Sequence, residues 1–305
     1  MMRAALALAR RSLGRTWPNP AVGCVIVRDG RVIGRGRTRD GGRPHAETDA
    51  LGSARESVAG ATVYVTLEPC AHHGKTPPCA DALIAAGVTR VVSAVEDPDP
   101  RVKGQGHARL KAAGVAVEIG EGAAEAAEIN AGFFLRVREG RPLFHLKFAS
   151  SLDGRIATAS GESKWITGDA ARADGHRLRS IHDAILVGAG TVAADDPELT
   201  CRLPGLDAYS PDRIVLDSKA AMLVTSKLAT TARTTRVLLF HAGAPAARTE
   251  LLREKGIDVI EVPAHGDTRV DVAAAAKVLG GLGYASVLIE GGGRIAAAFL
   301  RAGLV

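Results

Sequence analysis

The chain has 305 residues, of which 46% are hydrophobic, with 39 Lys+Arg against 33 Asp+Glu and a formal charge of +6. That length predicts two domains, each able to bury a core, while the hydrophobic fraction excludes disorder and the aperiodic glycines exclude a collagen-like repeat. No apolar run approaches the ~18 residues of a membrane helix, and the basic residues are scattered rather than clustered, so a small anionic ligand such as a phosphate ester fits the charge.

In chain order the pattern begins with a helix over Met2 to Leu13, whose apolar part is too short for a secretory leader and ends in Arg10-Arg11. A hairpin follows, with strands Ala21 to Val27 and Arg31 to Arg37 around the turn pair Asp29-Gly30. Then come a helix from Ala46, a strand at Thr62 to Thr66, a helix over Ala80 to Ala86, a strand at Arg90 to Val95, a helix near His107 to Ala113 and a strand at Val115 to Ile119. A single helix is expected over Glu121 to Arg141, stopped by Gly140 and Pro142. The predicted domains are therefore 1–141 and 142–305. In the second, strands are expected at Leu143 to Ala149, Ala184 to Val187, Arg213 to Leu216, Val237 to Phe240, Asp258 to Val262 and Ser286 to Glu290, with helices between and loops at Asp195 to Tyr209 and Ala264 to Thr268. Both halves read as α/β. The last strand runs into Gly291-Gly292-Gly293 and a helix from Arg294, which aims backbone N–H groups and the positive end of a helix at a phosphate.

Four cysteines are too few for a disulfide framework in a chain of this length, which points to the cytoplasm. Two of them join a histidine in a pattern with chemistry. His45-Ala46-Glu47 is followed by Pro69-Cys70 and Pro78-Cys79; two thiolates and an imidazole suit zinc and leave a fourth position open for water, as in a catalytic site. Glu47 is too close to His45 to be a further ligand and is read as the proton shuttle. Cys70 and Cys79 are expected at or just before helix starts, where the dipole favours thiolate. The arrangement matches zinc deaminases of nucleobases, except that eight residues rather than two separate the cysteines. This insert, carrying His72, His73, Lys75 and Thr76, reads as a lid for a phosphorylated substrate or as a solvated loop. Cys24 is expected in the core, and Cys201 is an unassigned loop thiol.

These residues, together with Pro18-Asn19-Pro20-Ala21-Val22-Gly23-Cys24, Leu67-Glu68-Pro69-Cys70 and Asp97-Pro98-Asp99-Pro100, resemble the bifunctional riboflavin-biosynthesis deaminase/reductase family. So do Lys147 through Ser151-Leu152-Asp153-Gly154, Gly161 through Gly168, and Thr191 through Asp195-Asp196-Pro197. The resemblance covers nearly the whole chain. It implies a cytidine-deaminase-like three-layer domain followed by a dihydrofolate-reductase-like α/β domain, with Zn²⁺ and NADPH as cofactors. The first would deaminate a phosphoribosylaminopyrimidine and the second would reduce its ribose to a ribityl chain. The expected partner is a phosphorylated pyrimidine, with no nucleic acid and no membrane, and a homo-oligomer is expected.

Carried over by position, the resemblance implies zinc ligands His45, Cys70 and Cys79, catalytic Glu47, and a deaminase pocket with Asn19, His72, Lys75, Thr76 and Asp97. In the reductase it implies cofactor contacts at Ala149, Trp165, Thr191, Asp195, Ser218, Gly292, Gly293, Arg294, Ile295, Ala296, Ala297 and Ala298. Substrate contacts are implied at Ser163, Arg179, Leu199, Arg202 and Glu290, with Arg179 and Arg202 suited to bidentate phosphate clamps. Lys147 is either a charge near the reacting sugar carbon or a structural lysine. The chain departs from the family at Thr38, Asp49 and Asp99, all expected near the deaminase pocket. It also stops at Val305, where members continue, so the reductase domain is expected to be truncated.

Three rival readings have weaker support. A nucleic-acid or nucleoside zinc deaminase with a non-catalytic C-terminal domain would need stacking aromatics, and only Trp17 and Tyr64 precede Phe133. A purely structural zinc module would need a fourth protein ligand. A single-domain dehydrogenase would need a Gly-x-Gly-x-x-Gly after an early strand.

Overall fold

Asp29 and Gly30 hold φ values of +50° and +74°, the left-handed pair that a two-residue hairpin turn requires. They join β1 (Gly23–Arg28) to β2 (Arg31–Arg37) in antiparallel register. The hairpin belongs to a computed structural model that describes residues 1–74, 76–266 and 269–305, in which the chain divides into two units, Met1–Glu139 and Gly140–Val305.

In the first unit α1 (Met2–Arg10) precedes the hairpin. After it come α2 (Ala46–Ser53), β3 (Thr62–Val65), α3 (Cys79–Ala85), β4 (Arg90–Ser93), α4 (Gln105–Ala112), β5 (Ala116–Ile119), α5 (Ala123–Ile129) and α6 (Ala131–Glu139). The sheet order is β2-β1-β3-β4-β5, antiparallel at its first two junctions and parallel at the last two. Two glycines set the layers. A Cβ on Gly23 would lie 1.9 Å from Ala5 O in α1, and one on Gly36 would lie 2.2 Å from Ala46 O in α2. Gly36 pairs with Cys24, the neighbour of Gly23, so the two glycines face opposite sides and the helices cover opposite faces. Met2, Leu6, Val25, Val92 and Ala126 form the core beneath α1. Leu6 is 1% exposed, and truncating such a leucine to alanine costs about 2–5 kcal/mol.

The single helix expected over Glu121 to Arg141 is two, α5 and α6, broken at Asn130. The Asn130 side chain accepts from Ala21 N–H (2.9 Å) and donates to Ala21 C=O (3.0 Å). This amide pairing satisfies the backbone just before β1 and takes precedence over helical continuity.

In the second unit β6 (Leu143–Leu146) is followed by α7 (Asp169–Ser180), β7 (Ala184–Gly188), α8 (Ala189–Asp195), β8 (Asp212–Leu216), α9 (Lys227–Thr230) and β9 (Val237–His241). Then come α10 (Ala246–Glu254), β10 (Asp258–Glu261), β11 (Ala264–His265), β12 (Arg269–Val270), α11 (Val272–Gly281), β13 (Ser286–Ile289) and α12 (Gly293–Arg301). Six strands form a parallel sheet in the order β10-β9-β8-β7-β13-β6. Its faces are buried by separate clusters, one with Leu186, Leu238, Phe240 and Phe299 and the other with Ile185, Val187, Val215 and Leu239. Every residue of β7 and β9 is buried, as a parallel sheet covered on both sides demands. Helix α11 is capped by Asp271, whose carboxylate accepts from Ala273 and Ala274 N–H.

The loop expected at Ala264 to Thr268 is instead the start of a two-stranded antiparallel ribbon of β11 and β12. Gly266 holds φ +63°, and the paired backbone groups of β11 and β12 replace contacts that an isolated loop would make to water. Asp267 and Thr268 lie outside the described residues. Cys201, expected as a loop thiol, is 1% exposed, and Cys24 is fully buried. Among the described residues no helix is long and apolar enough to cross a membrane.

Candidate active sites

In the first unit three elements meet at one point. His45 is the N-cap of α2, Cys79 is the first residue of α3, and Cys70 lies in the irregular segment between β3 and α3. His45 Nδ1 is 3.7 Å from Cys70 Sγ and 3.4 Å from Cys79 Sγ. With Zn–S near 2.3 Å and Zn–N near 2.0–2.1 Å, a tetrahedral ion needs N···S separations of about 3.6 Å, so these donors fit zinc. Only Cys79 is at a helix start. Cys70 is instead reached by the dipole indirectly, because the Cys79 N–H at the tip of α3 donates to its sulfur at 3.3 Å. Hydrogen bonding from Cys79, then from His45 and that N–H, pulls the Cys70 thiol down to about 4. Glu47, in the first turn of α2, is 4% exposed. Burial first, and then the negative Cys70, push its carboxyl up to about 7.

A cavity of about 300 Å³ opens onto His45, Glu47 and Cys70 and is walled by Asn19, His72 and Asp97. Asn19 is fixed by donating to Gly42 C=O at 2.8 Å. His72 Nδ1 is buried with no hydrogen-bond partner among the described residues, the state of a group that a ligand completes. Burial raises Asp97 to about 6, with Asp99 and Glu68 adding to the effect. Thr76 is exposed, outside the cavity wall, and accepts from Arg43 Nη1 at 2.7 Å. Lys75 lies outside the described residues. Of the three departures, Thr38 and Asp99 line the cavity. Asp49 does not: it binds Arg37 N–H and pairs with Arg39 at 2.8 Å. Sequence reasoning missed the cations Arg43, Arg101 and Arg136 on the cavity wall. Arg43, two residues before His45, and Arg101, directly after the Asp97 to Pro100 motif, were within reach of it; Arg136, on a remote helix, was not.

In the second unit a cleft of about 470 Å³ is lined by Lys147, Trp165, His176, Arg179, Arg202 and Glu290. Arg179 donates from Nε and Nη2 to the two oxygens of Glu290 (2.8 and 2.9 Å) and from Nη1 to Thr200 C=O. Burial works against the Glu290 charge, but the Arg179 hydrogen bonds and charge hold it below the ordinary carboxylate range. Lys147 Nζ is 3.7 Å from Glu290 Oε2, and Arg172 lies 4.5 Å over the Trp165 ring. Expected as a phosphate clamp, Arg179 has that face of its guanidinium committed to Glu290. Leu199 and Ser163 are not on the cleft wall: the Leu199 side chain is buried in the core, and Ser163 is exposed. His176 was missed. It stands three residues before Arg179 on α7, hence on the same face, and its Nδ1 accepts from Arg202 N–H at 3.2 Å.

Beyond Glu290, which follows β13, come Gly291-Gly292, and α12 begins at Gly293 with no side-chain cap. A Cβ on Gly291 would lie 2.9 Å from Ile295 Cβ, whereas one on Gly292 would meet only Thr191 Oγ1, at 4.0 Å. Gly291 thus serves packing, and Gly292 leaves open space before a helix N-terminus without a side-chain cap, which favours an anion. Arg294 is exposed beside it, and Ala296, Ala297 and Ala298 are half-buried. Ile295 is turned inward against Gly188 and the core, so its side chain does not face that open space. Ala149 is half-buried after β6. Asp195 pairs with Lys164 at 3.4 Å, and the Ser218 hydroxyl accepts from Val270 N–H.

Comparison with known proteins divides the chain along the same lines. Residues 142–305 match the RibD C-terminal domain, and residues 1–95 match the cytidine and deoxycytidylate deaminase zinc-binding region. The riboflavin biosynthesis protein RibD of Escherichia coli (strain K12) is 44% identical over 318 residues, covering 100% of this chain and 84% of that protein. RibD of Bacillus amyloliquefaciens is 42% identical over 303 residues, covering 99% and 80%. Among solved structures, a diaminohydroxyphosphoribosylaminopyrimidine deaminase/5-amino-6-(5-phosphoribosylamino)uracil reductase from Thermotoga maritima superposes with a TM-score of 0.85 at 38% identity, over 99% of this chain and 82% of that one. Acinetobacter baumannii RibD gives 0.86 at 42% identity, over 100% and 83%. The matches run through 99–100% of this chain and 80–84% of the relatives' own length.

Proposed function

The chain belongs to the RibD family of riboflavin biosynthesis proteins, and from that premise we propose which of its residues carry out two successive reactions on one phosphoribosylaminopyrimidine. It is a bifunctional enzyme, a zinc-dependent deaminase and an NADPH-dependent reductase. In the residue assignment His45, Cys70 and Cys79 hold the zinc, which when bound supplies Lewis-acid activation of water. Glu47 accepts a proton from the attacking water, passes it to the ring nitrogen, and returns a proton to the departing amino group, so that water and amine become a ring carbonyl and ammonia. Its burial on the cavity beside the ligand set suits a carboxyl that takes up and returns protons. Asn19, His72 and Asp97 orient the pyrimidine, and Lys75 and Thr76 enter as substrate contacts by resemblance alone.

In the reductase, NADPH supplies hydride when bound. The open turn at Gly292, with Gly293, Arg294 and Thr191, takes its phosphate. Ala149, Trp165, Asp195, Ser218 and the backbone of Ile295 to Ala298 complete the cofactor contacts by family resemblance. Lys147, held by Glu290, places a positive charge at the sugar carbon that is reduced, and Arg202 takes the substrate phosphate. Ser163 and Leu199 enter as substrate contacts by resemblance alone. The second unit is assigned the dihydrofolate-reductase type of fold, and the active form is a homo-oligomer in the cytoplasm.

The observation that carries this reading is the coincidence of a three-ligand zinc triangle with a buried carboxyl on one cavity. Supplying the diamino pyrimidine substrate to the purified protein, with and without NADPH, and following products by mass spectrometry tests it. Deaminated pyrimidine is expected without NADPH and the ribityl product with it. Unchanged substrate under both conditions contradicts the reading.

A further inference from the structure

We propose that Glu68 is a positioning residue for deamination: its carboxylate ties the wall carrying Asp97 to the segment carrying Cys70. The inference rests on the deaminase reading above.

Glu68 lies in the segment after β3, two residues before Cys70, and its side chain is fully buried. Its own N–H donates to Val95 C=O at 3.0 Å. Its carboxylate accepts four backbone N–H bonds: Oε2 from Asp97 (3.2 Å) and Gly104 (3.0 Å), and Oε1 from Gly106 (2.8 Å) and His107 (3.2 Å). The last two donors belong to the first turn of α4, so the negative group also sits at the positive end of a helix.

The close approach is built into the sequence. A Cβ on Gly106 would lie 1.9 Å from Pro69 O and 3.2 Å from Glu68 Cγ, so only glycine lets α4 reach this segment. Between the anchored amides of Asp97 and Gly104 the chain loops out. Within the loop Asp97 Oδ1 accepts from Asp99 N–H at 2.8 Å, and Asp99 pairs with Arg101 at 2.5 Å. Asp97, Asp99 and Arg101 line the same cavity as Cys70. One carboxylate therefore holds both ends of a cavity wall and fixes it against the metal-ligand segment.

The chemistry requires a carboxylate. Four donors need about four lone-pair positions, which an ionised carboxylate has; glutamine offers one acceptor oxygen and turns an NH₂ toward the remaining donors. The same saturation excludes a cation, although Glu68, Glu96 and His107 bring ligand-type atoms within 4.8 Å of one another.

The test uses the full chain with Glu68→Gln, Gly106→Ala, Asp97→Asn and the Glu68→Gln/Asp97→Asn double variant. Hydrogen–deuterium exchange at the amides of Asp97, Gly104, Gly106 and His107 should accelerate about tenfold or more in Glu68→Gln, as expected for losing bonds to a charged acceptor. Deaminase kcat/KM should fall about 10²-fold, the size of a misplacement near 1 Å, with the change mainly in KM. Zinc content and reductase turnover should stay at wild-type values, and the double variant should be no worse than Asp97→Asn. Unchanged exchange, or losses that multiply in the double variant, overturn the proposal. Should Glu68→Gln lose both zinc and reductase activity, Gly106→Ala decides. It keeps the carboxylate but forces α4 away from Pro69, and a wild-type KM there overturns the proposal. A wild-type chain without deaminase turnover would overturn the deaminase reading instead, and the exchange result alone would then decide the clamp.

Discussion

Arg179 turns the Nε–Nη2 edge of its guanidinium onto Glu290, making two hydrogen bonds of 2.8 and 2.9 Å between side chains only 15% and 9% exposed. The pair joins α7 to the end of β13 and fixes the carboxylate beside which Lys147 stands. A buried pair resists loss of one partner far more than its net contribution suggests, because the survivor is left charged and desolvated. Arg179→Ala should therefore destabilise the second unit by about 3 kcal/mol and abolish reduction while deamination persists. Urea denaturation with both activities followed checks this, and a change below about 0.5 kcal/mol would contradict it, since that is the scale of a surface substitution.

Cys70→Ala should leave the purified protein without zinc and without deaminase activity while NADPH-dependent reduction continues. Two ligands of a three-ligand site cannot close the coordination shell. Metal analysis reads the outcome directly, and full zinc occupancy would remove Cys70 from the ligand set.

Stability should depend on His182. Its Nδ1–H donates to Leu178 C=O, its Nε2 accepts from His145, and burial pushes it down to about 4. An unfolded histidine titrates near 6.5. Between these values the unfolded chain binds a proton that the folded chain refuses, so stability is complete above about pH 6.5 and falls as the pH drops toward 4. One such group accounts for a loss on the order of 3 kcal/mol. His145, also depressed by burial, adds in the same direction. Unfolding free energies at pH 7 and 4.5 should therefore differ less in His182→Gln than in the wild type; an equal difference would exclude the histidine as the cause.

The glycine turn separates packing from ligand contact. Gly291→Ala pushes against Ile295 and should lower the melting temperature. Gly292→Val enters open space, so the fold should persist while the NADPH dissociation constant rises about tenfold or more, as expected when a charge-assisted hydrogen bond is blocked. Titration of cofactor fluorescence measures it, and unchanged affinity in Gly292→Val would place the phosphate elsewhere.

The convergence of His45, Cys70 and Cys79 was legible in the sequence because these residue types and the neighbouring glutamate are few, specific and arranged along a short stretch. Strands were legible for a similar reason: β7 is an unbroken run without polar side chains and β9 is apolar up to His241, as a doubly covered sheet requires. What could not be read depended on partners far along the chain. Asn130 breaks a helix for the sake of Ala21, and Arg179 faces Glu290 rather than an incoming phosphate. Leu199 resembles a family contact yet fills the core, and Glu68, inside a recognised motif, shows its role only when α4 is seen against Pro69. Local pattern fixes element type; the assignment of a polar side chain depends on which donors the fold delivers to it.

Glu47→Gln is the most direct measurement of the central claim. The variant is nearly isosteric and leaves His45, Cys70 and Cys79 in place, so zinc should remain at one per chain while deamination falls by at least about 10²-fold, the lower bound for a general acid/base. Turnover at the wild-type rate with the metal still bound would show that Glu47 does not carry the proton.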